Sequence, residues 1–313
     1  MTGAFPGGTL ECMATLHTRI SAHPTASFFV LAFGISWTLM APAAITGGLE
    51  GVSSLFFFLG VFGPAAAGAI VTRATGGTIR AWLRAMFGRR VALRWFALAI
   101  GFPVALAVVA SAGFALAGES LDFGLVGERA ASFVPLLIFC LLLNGGPEEP
   151  GWRGFALPHL QERLSPVRAT FVLGTLWGLW HLPLLRVEEN AGHELATIPL
   201  IAMLAWTLGG FIAYAFTYTY VFNRTGSVLV CMVLHAAYNT SRVLILRPED
   251  ELVGGAYVAI SLILTGLLWL VAIGLIAATR GRLGIDEARQ PAPASPADRA
   301  TPPRGPRPLA PAA

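Results

Sequence analysis

The stretch Glu148-Glu149-Pro150-Gly151-Trp152-Arg153-Gly154 sets two adjacent carboxylates and an arginine into a chain that is otherwise almost uniformly apolar. Of the 313 residues, 55% are hydrophobic and 12% charged, and the mean hydropathy is +0.68. Soluble domains carry roughly 25% charged residues. A helix crosses a bilayer with about 20 apolar residues, and several runs on either side of the acidic stretch reach that length. The composition therefore predicts an all-α polytopic membrane protein with about eight transmembrane helices. An ionisable group within such a helix is costly and marks a functional site by default.

Toward the N-terminus, 131–143 begins the helix that meets Gly145-Gly146-Pro147, which should loosen it just before the acids. The pattern continues through 155–163. Earlier helices are expected at 26–45, 52–72 and 95–117, the second kinked at Gly63-Pro64. The segment 73–94 carries Arg73, Arg80, Arg84, Arg89, Arg90 and Arg94 and no acid. There Trp82, Leu83, Met86 and Phe87 are spaced for an amphipathic interfacial helix. A loop is expected at 118–130. Toward the C-terminus, a turn at Ser165-Pro166 leads into helices at 167–185, 198–222, 227–246 and 256–279. A turn at 223–226 and acidic loops (Glu188, Glu189, Glu194; Glu249, Asp250, Glu251) separate them. Five regions result: a polar tail at 1–25, N-terminal helices with the basic segment at 26–125, a core at 131–245, a last helix at 256–280, and a disordered Pro/Ala/Arg-rich tail at 288–313. Residues 1–25 lack a signal-peptide pattern, and the first apolar helix is expected to act as an uncleaved one.

All 21 basic residues are arginine. With both termini cytoplasmic, only Arg129, Arg186 and Arg247 fall in outer loops, which satisfies the positive-inside rule. Because the arginines gather at membrane edges, the positive charge implies a lipid bilayer as partner and no nucleic acid. Cys12, Cys140 and Cys231 are too scattered for a disulfide framework or a Cys-based zinc site.

The hairpin around 164–166 sets what meets the acids. Glu148 lies about 16 residues before it and His181 about 16 after, which places both on the order of 24 Å along their helices. His235 and Asn239 enter from the same side on another helix, at comparable depth, and form one i,i+4 stripe. Glu149 and Arg153 are i,i+4 and can pair, leaving Glu148 to point elsewhere. Trp177 is i,i+4 with His181. Such a set suits hydrolysis: a carboxylate and an imidazole move protons, and Asn and a second His donate to an oxyanion. The same Glu148, His181, His235 and Asn239 could instead hold one divalent metal, zinc (Zn²⁺) first, with bound water as nucleophile.

Glu148-Glu149-x-x-x-Arg153, Trp177-x-x-x-His181 and His235-x-x-x-Asn239, each in its own apolar helix, resemble the three motifs of the CPBP (Abi) family. That family groups type II CAAX prenyl endopeptidases with bacterial relatives, including bacteriocin-immunity proteins. Trp177 stands where Phe is commoner, a conservative departure. The resemblance implies an intramembrane endopeptidase in a bacterial cell membrane acting on membrane-associated protein or peptide substrates, CAAX-like ones among them. It further implies that Glu148 and His181 activate water, that His235 and Asn239 stabilise the oxyanion or help hold a metal, and that Glu149 and Arg153 orient the site. Family members have been described both as metalloproteases and as glutamate-dependent proteases, so the metal stays open here, as do cleavage site and oligomeric state. A non-catalytic immunity or scaffold protein and a proton-relay transporter share these residues. The transporter reading lacks an inverted repeat. No His-Glu-x-x-His, rhomboid-type Gly-x-Ser-Gly or intramembrane Asp is present.

Overall fold

The computed structural model describes residues 17–116, 121–188, 200–245 and 254–285. The tails, the acidic loops from Glu189 and around Glu249, and His193 lie outside the described residues. Within them the chain is helical, with no strand. Helices α1 (Pro24–Thr46), α2 (Val52–Val61) and α3 (Gly63–Ala74) form the first packed group. Gly63-Pro64 does bend the second span, by 46°. The short α4 (Ile79–Phe87) is capped by Thr78, whose hydroxyl accepts the Ala81 N–H at 3.2 Å. It buries Met86 and leaves its arginines exposed. Next comes α5 (Leu93–Leu116).

Helix α6 (Leu125–Leu143) starts inside the stretch expected to be a loop. Asp122 accepts the Gly124 N–H at 2.8 Å, an Asx-type turn that launches the helix early. Arg129, expected in an outer loop, is buried on α6 and donates to the carbonyl of Ile245. A composite segment then carries the acidic stretch: a 3₁₀ turn (Gly146–Glu148), one short turn (Glu149–Gly151), a π-helical turn (Trp152–Ala156) and a last turn (Leu157–Gln161).

Helix α7 (Pro166–Trp180) is capped by Ser165. It ends at His181 rather than running to 185, because Pro183 has no N–H for the ladder, and α8 (Leu182–Glu188) begins anew. Helix α9 (Leu200–Thr225) runs through the turn expected at 223–226, which shrinks to Gly226 (φ 61°) and Ser227. Helix α10 (Val228–Ser241) ends in a 3₁₀ turn (Arg242–Leu244), and α11 is Gly254–Ala278.

By length and composition, four described helical stretches can cross a membrane, five if α2 and α3 make one span. The expected count of eight is not confirmed among the described residues, where α10 has 14 residues and α7 has 15. Both pack closely on their neighbours, α7 on α9 and α10 on α5 and α6. Gly174 and Gly178 let α7 and α9 touch. A Cβ on Gly174 would lie 2.8 Å from Ile212 Cα, and one on Gly178 2.9 Å from Leu208 Cδ2. Small residues four apart serve such close packing in membranes. The core is aromatic, and Phe28 of α1 packs edge-on to Trp152 (5.6 Å) and stacks on Phe155 (5.1 Å). Farther along α1, the Trp37 indole donates to the Trp180 carbonyl at 3.0 Å.

Candidate active site

The helical ladder breaks where Gly145-Gly146-Pro147 suggested. Asn144 is extended (φ −141°, ψ 100°) and Gly145 has φ 96°, a conformation that favours glycine. Space also demands glycine there: a Cβ would sit 2.6 Å from His235 Cδ2 and 2.7 Å from Asn239 Nδ2. The backbone of the break is thus pressed against α10, and Asn239 Nδ2 donates to the Asn144 carbonyl at 3.3 Å. Gly151 lies as closely on the backbone of Pro64, which fixes the composite segment on α3. The π turn that follows is a rare geometry, frequent at functional sites.

The two carboxylates have different surroundings. Glu148, 3% exposed, accepts two indole N–H groups at Oε2, from Trp177 at 2.9 Å and Trp152 at 3.1 Å. Its Oε1 takes no hydrogen bond among the described residues, and Glu148 lines a cavity. Glu149 is fully buried and does not line it. Its Oε1 accepts from Arg153 Nη1 at 3.1 Å, the expected i,i+4 pair, and also from His235 Nδ1 at 2.8 Å. Arg153, itself fully buried, lies between the rings of Trp177 (4.4 Å) and Tyr218 (4.0 Å). Its Nε and Nη2 have no hydrogen-bond acceptor among the described residues, so the ring faces supplement Glu149 in compensating its charge.

The imidazoles are each fixed through Nδ1. His181 caps α7 and its Nδ1 lies 2.8 Å from the Trp177 carbonyl. A carbonyl only accepts, so Nδ1 holds the proton and Nε2 is left for chemistry. Its ring stacks on Phe211 at 4.1 Å, and Trp177 stands edge-on at 5.8 Å. His235 Nδ1 likewise donates to Glu149, leaving Nε2.

Glu148, His181, His235 and Asn239 all line one cavity of about 340 Å³, with Trp177, Trp180 and Tyr214 also in its wall. No hydrogen bond joins Glu148 to His181; they meet across this space. Glu149 and Arg153 lie behind it. Among the described residues, no three His, Cys, Asp or Glu side chains are close enough to share a metal ion. As arranged, the Glu148/His181/His235/Asn239 set does not fit zinc, and Oε2 of Glu148 is already held by two indoles.

Sequence reasoning missed three things. Trp152 and Trp177 act as donors to Glu148, and their i+4 spacing from Glu148 and to His181 was the available signal. The Glu149–His235 bond joins residues 86 apart, which no local periodicity reports. Tyr218, packed beneath Arg153, left no mark in the sequence.

Fold and cavity together define a class: a helical integral membrane protein with an acid, two imidazoles and an amide lining one cavity. Residues 130–241 match the family described as type II CAAX prenyl endopeptidase Rce1-like. A CAAX prenyl protease 2 of Methanococcus maripaludis is 32% identical over 148 residues, 47% of this chain and 51% of that relative. The chain thus aligns with about half the length of the curated relative it matches.

Proposed function

We propose that this protein is an intramembrane endopeptidase that hydrolyses peptide bonds of membrane-associated substrates, CAAX-like C-termini among them. The observation that carries this reading is the meeting of Glu148, His181, His235 and Asn239 in one cavity, from the composite segment, the end of α7 and the middle of α10. Water between Glu148 Oε1 and His181 Nε2 loses a proton to one of them as it attacks the scissile carbonyl, and the leaving amine takes a proton back. Asn239 Nδ2 and His235 Nε2 stabilise the oxyanion. Donation from Nε2 requires His235 to carry both ring protons, with Glu149 as its counter-charge. Glu149 and Arg153 act at one remove by fixing His235 and the π turn. Both termini lie on the cytoplasmic side of a bacterial cell membrane in this reading, in keeping with the arginine distribution.

Purified protein in detergent, given a library of membrane-derived and prenylated peptides, tests it. Cleavage is expected from the wild type and not from Glu148→Gln or His181→Ala. Wild-type rates in either variant would sink the mechanism. Metal dependence is a separate measurement. Although the donors share a cavity, no three of its acid and imidazole groups are close enough to share an ion as arranged, so chelation should leave cleavage intact. Loss of activity that zinc restores would show that the site closes around an ion.

A further inference from the structure

We propose that α4 is a docking helix for anionic phospholipid headgroups, and that it ties the bilayer surface to the π turn of the site. The second half of this statement rests on the proteolytic reading above; the first half does not.

Three faces of α4 carry the argument. Arg80 and Arg84, i,i+4, are exposed, and so are Arg90 and Arg94 just beyond the helix. None of the four has a hydrogen bond or ion pair among the described residues, and 73–94 contains no acid to supply one. Beside the arginine row, Leu83 and Phe87, also i,i+4, are 44% and 40% exposed. On the remaining face Trp82 and Met86 turn into the protein. At about 100° per residue the order around the helix is core face, apolar stripe, arginine row. An amphipathic helix lies in a membrane interface in this way, with its apolar stripe in the acyl boundary and its cations among the headgroups. Arginine at a cytoplasmic edge is expected of any membrane protein. An exposed apolar stripe aligned beside the arginines is not, and it selects a lipid surface over a soluble acidic partner.

The inward face reaches the site. The Trp82 indole N–H donates to the Gly154 carbonyl at 3.1 Å. Gly154 is also in contact range of Met86, since a Cβ there would run into the Met86 sulfur. Gly154 follows Arg153 in the π turn. On the far side of α4, the Arg89 guanidinium crowds Gly226, where a Cβ would lie 2.7 Å from Cζ. Gly226 sits at the entry to α10, which carries His235 and Asn239. Lipid that steadies α4 therefore steadies both segments behind the cavity.

The test uses full-length protein in nanodiscs of phosphatidylcholine alone or mixed with phosphatidylglycerol. Hydrogen–deuterium exchange of amides 79–90 should slow several-fold in the anionic discs. The difference should vanish for Arg80→Gln/Arg84→Gln/Arg90→Gln/Arg94→Gln, and shrink in high salt. Equal exchange of the wild type in both discs would overturn the docking surface. So would equal protection by a soluble polyglutamate in phosphatidylcholine discs. Wild-type cleavage should be faster in the anionic discs, and an equal rate in both would overturn the link to the site. Trp82→Phe, which removes the bond to Gly154, should keep the lipid-dependent protection of α4 but lose this stimulation. Stimulation that survives Trp82→Phe would overturn the link to the site. Absence of cleavage in every disc counts against the proteolytic reading alone, because the exchange measurement does not need activity.

Discussion

Glu149 offers the sharpest test of how the site is held together. Its carboxylate and the Arg153 guanidinium are both fully buried, 3.1 Å apart. Removing one partner of such a pair leaves an uncompensated buried charge and costs about 3–5 kcal/mol, whereas removing both together is often nearly neutral. Glu149→Gln keeps the shape and one acceptor oxygen, which can serve Arg153 or His235 but not at full charge. A loss of about 3 kcal/mol is therefore expected, the lower end of that range. Arg153→Met should cost a similar amount, since Glu149 then keeps only the His235 Nδ1–H, at 2.8 Å. The double variant Glu149→Gln/Arg153→Met should lose less than the sum of the two, by roughly 2 kcal/mol or more of coupling. The two ring faces at 4.4 and 4.0 Å set the limit, because they stabilise the lone guanidinium and lower the cost of Glu149→Gln. Denaturant titration in mild detergent, with all four proteins in parallel, gives the cycle. Glu149→Gln as stable as the wild type, or a double variant that loses the full sum, would refute the reasoning.

Three further outcomes are expected. Trp177→Phe removes the shorter of the two indole bonds to Glu148; a hydrogen bond to a charged group contributes ~1.5–3 kcal/mol, so kcat/KM on a cleavable peptide should fall about tenfold or more. An undiminished rate would mean that Trp152 alone holds the carboxylate. Gly145→Ala combines a disfavoured φ with a clash against His235 and Asn239. Its yield of monodisperse protein on gel filtration should drop sharply, whereas Gly101→Ala, in open space on α5, should behave as wild type. Gly178→Leu drives a side chain into Leu208 and Phe211. Because Phe211 stacks on His181, cleavage should be lost together with stability, and a fully active, fully stable variant would contradict the observed packing.

Much of this was legible in the sequence, for physical reasons that differ by element. Spans such as α1 and α5 announce themselves because a run of apolar residues has one stable home. The bend at Gly63-Pro64 and the break at Gly145 announce themselves because Pro lacks a donor and Gly lacks a Cβ. The convergence of Glu148, His181, His235 and Asn239 follows from counting residues out from a turn, since helices rise evenly. Other features depend on contacts between distant segments. The start of α6 at Leu125 rests on an Asp122 turn, and burial of Arg129 rests on the Ile245 carbonyl. The lengths of α7 and α10, 15 and 14 residues, are set by Pro183 and by the 3₁₀ turn at Arg242–Leu244 rather than by hydropathy. The second bond of Glu149 and the seat of Arg153 on Tyr218 need three dimensions to see.

The contacts of α1 bear on how the protein is made. Trp37 waits for a carbonyl 143 residues later in the chain, and Phe28 waits for Trp152. At about 5–20 residues per second, the first helix stands in the membrane for on the order of 10 s before Trp180 is synthesised. The candidate site thus gains its α1 wall only when the beginning of the chain closes on its later half. Although every proposed catalytic side chain lies between residues 148 and 239, a fragment cut to that interval would lack its oldest wall.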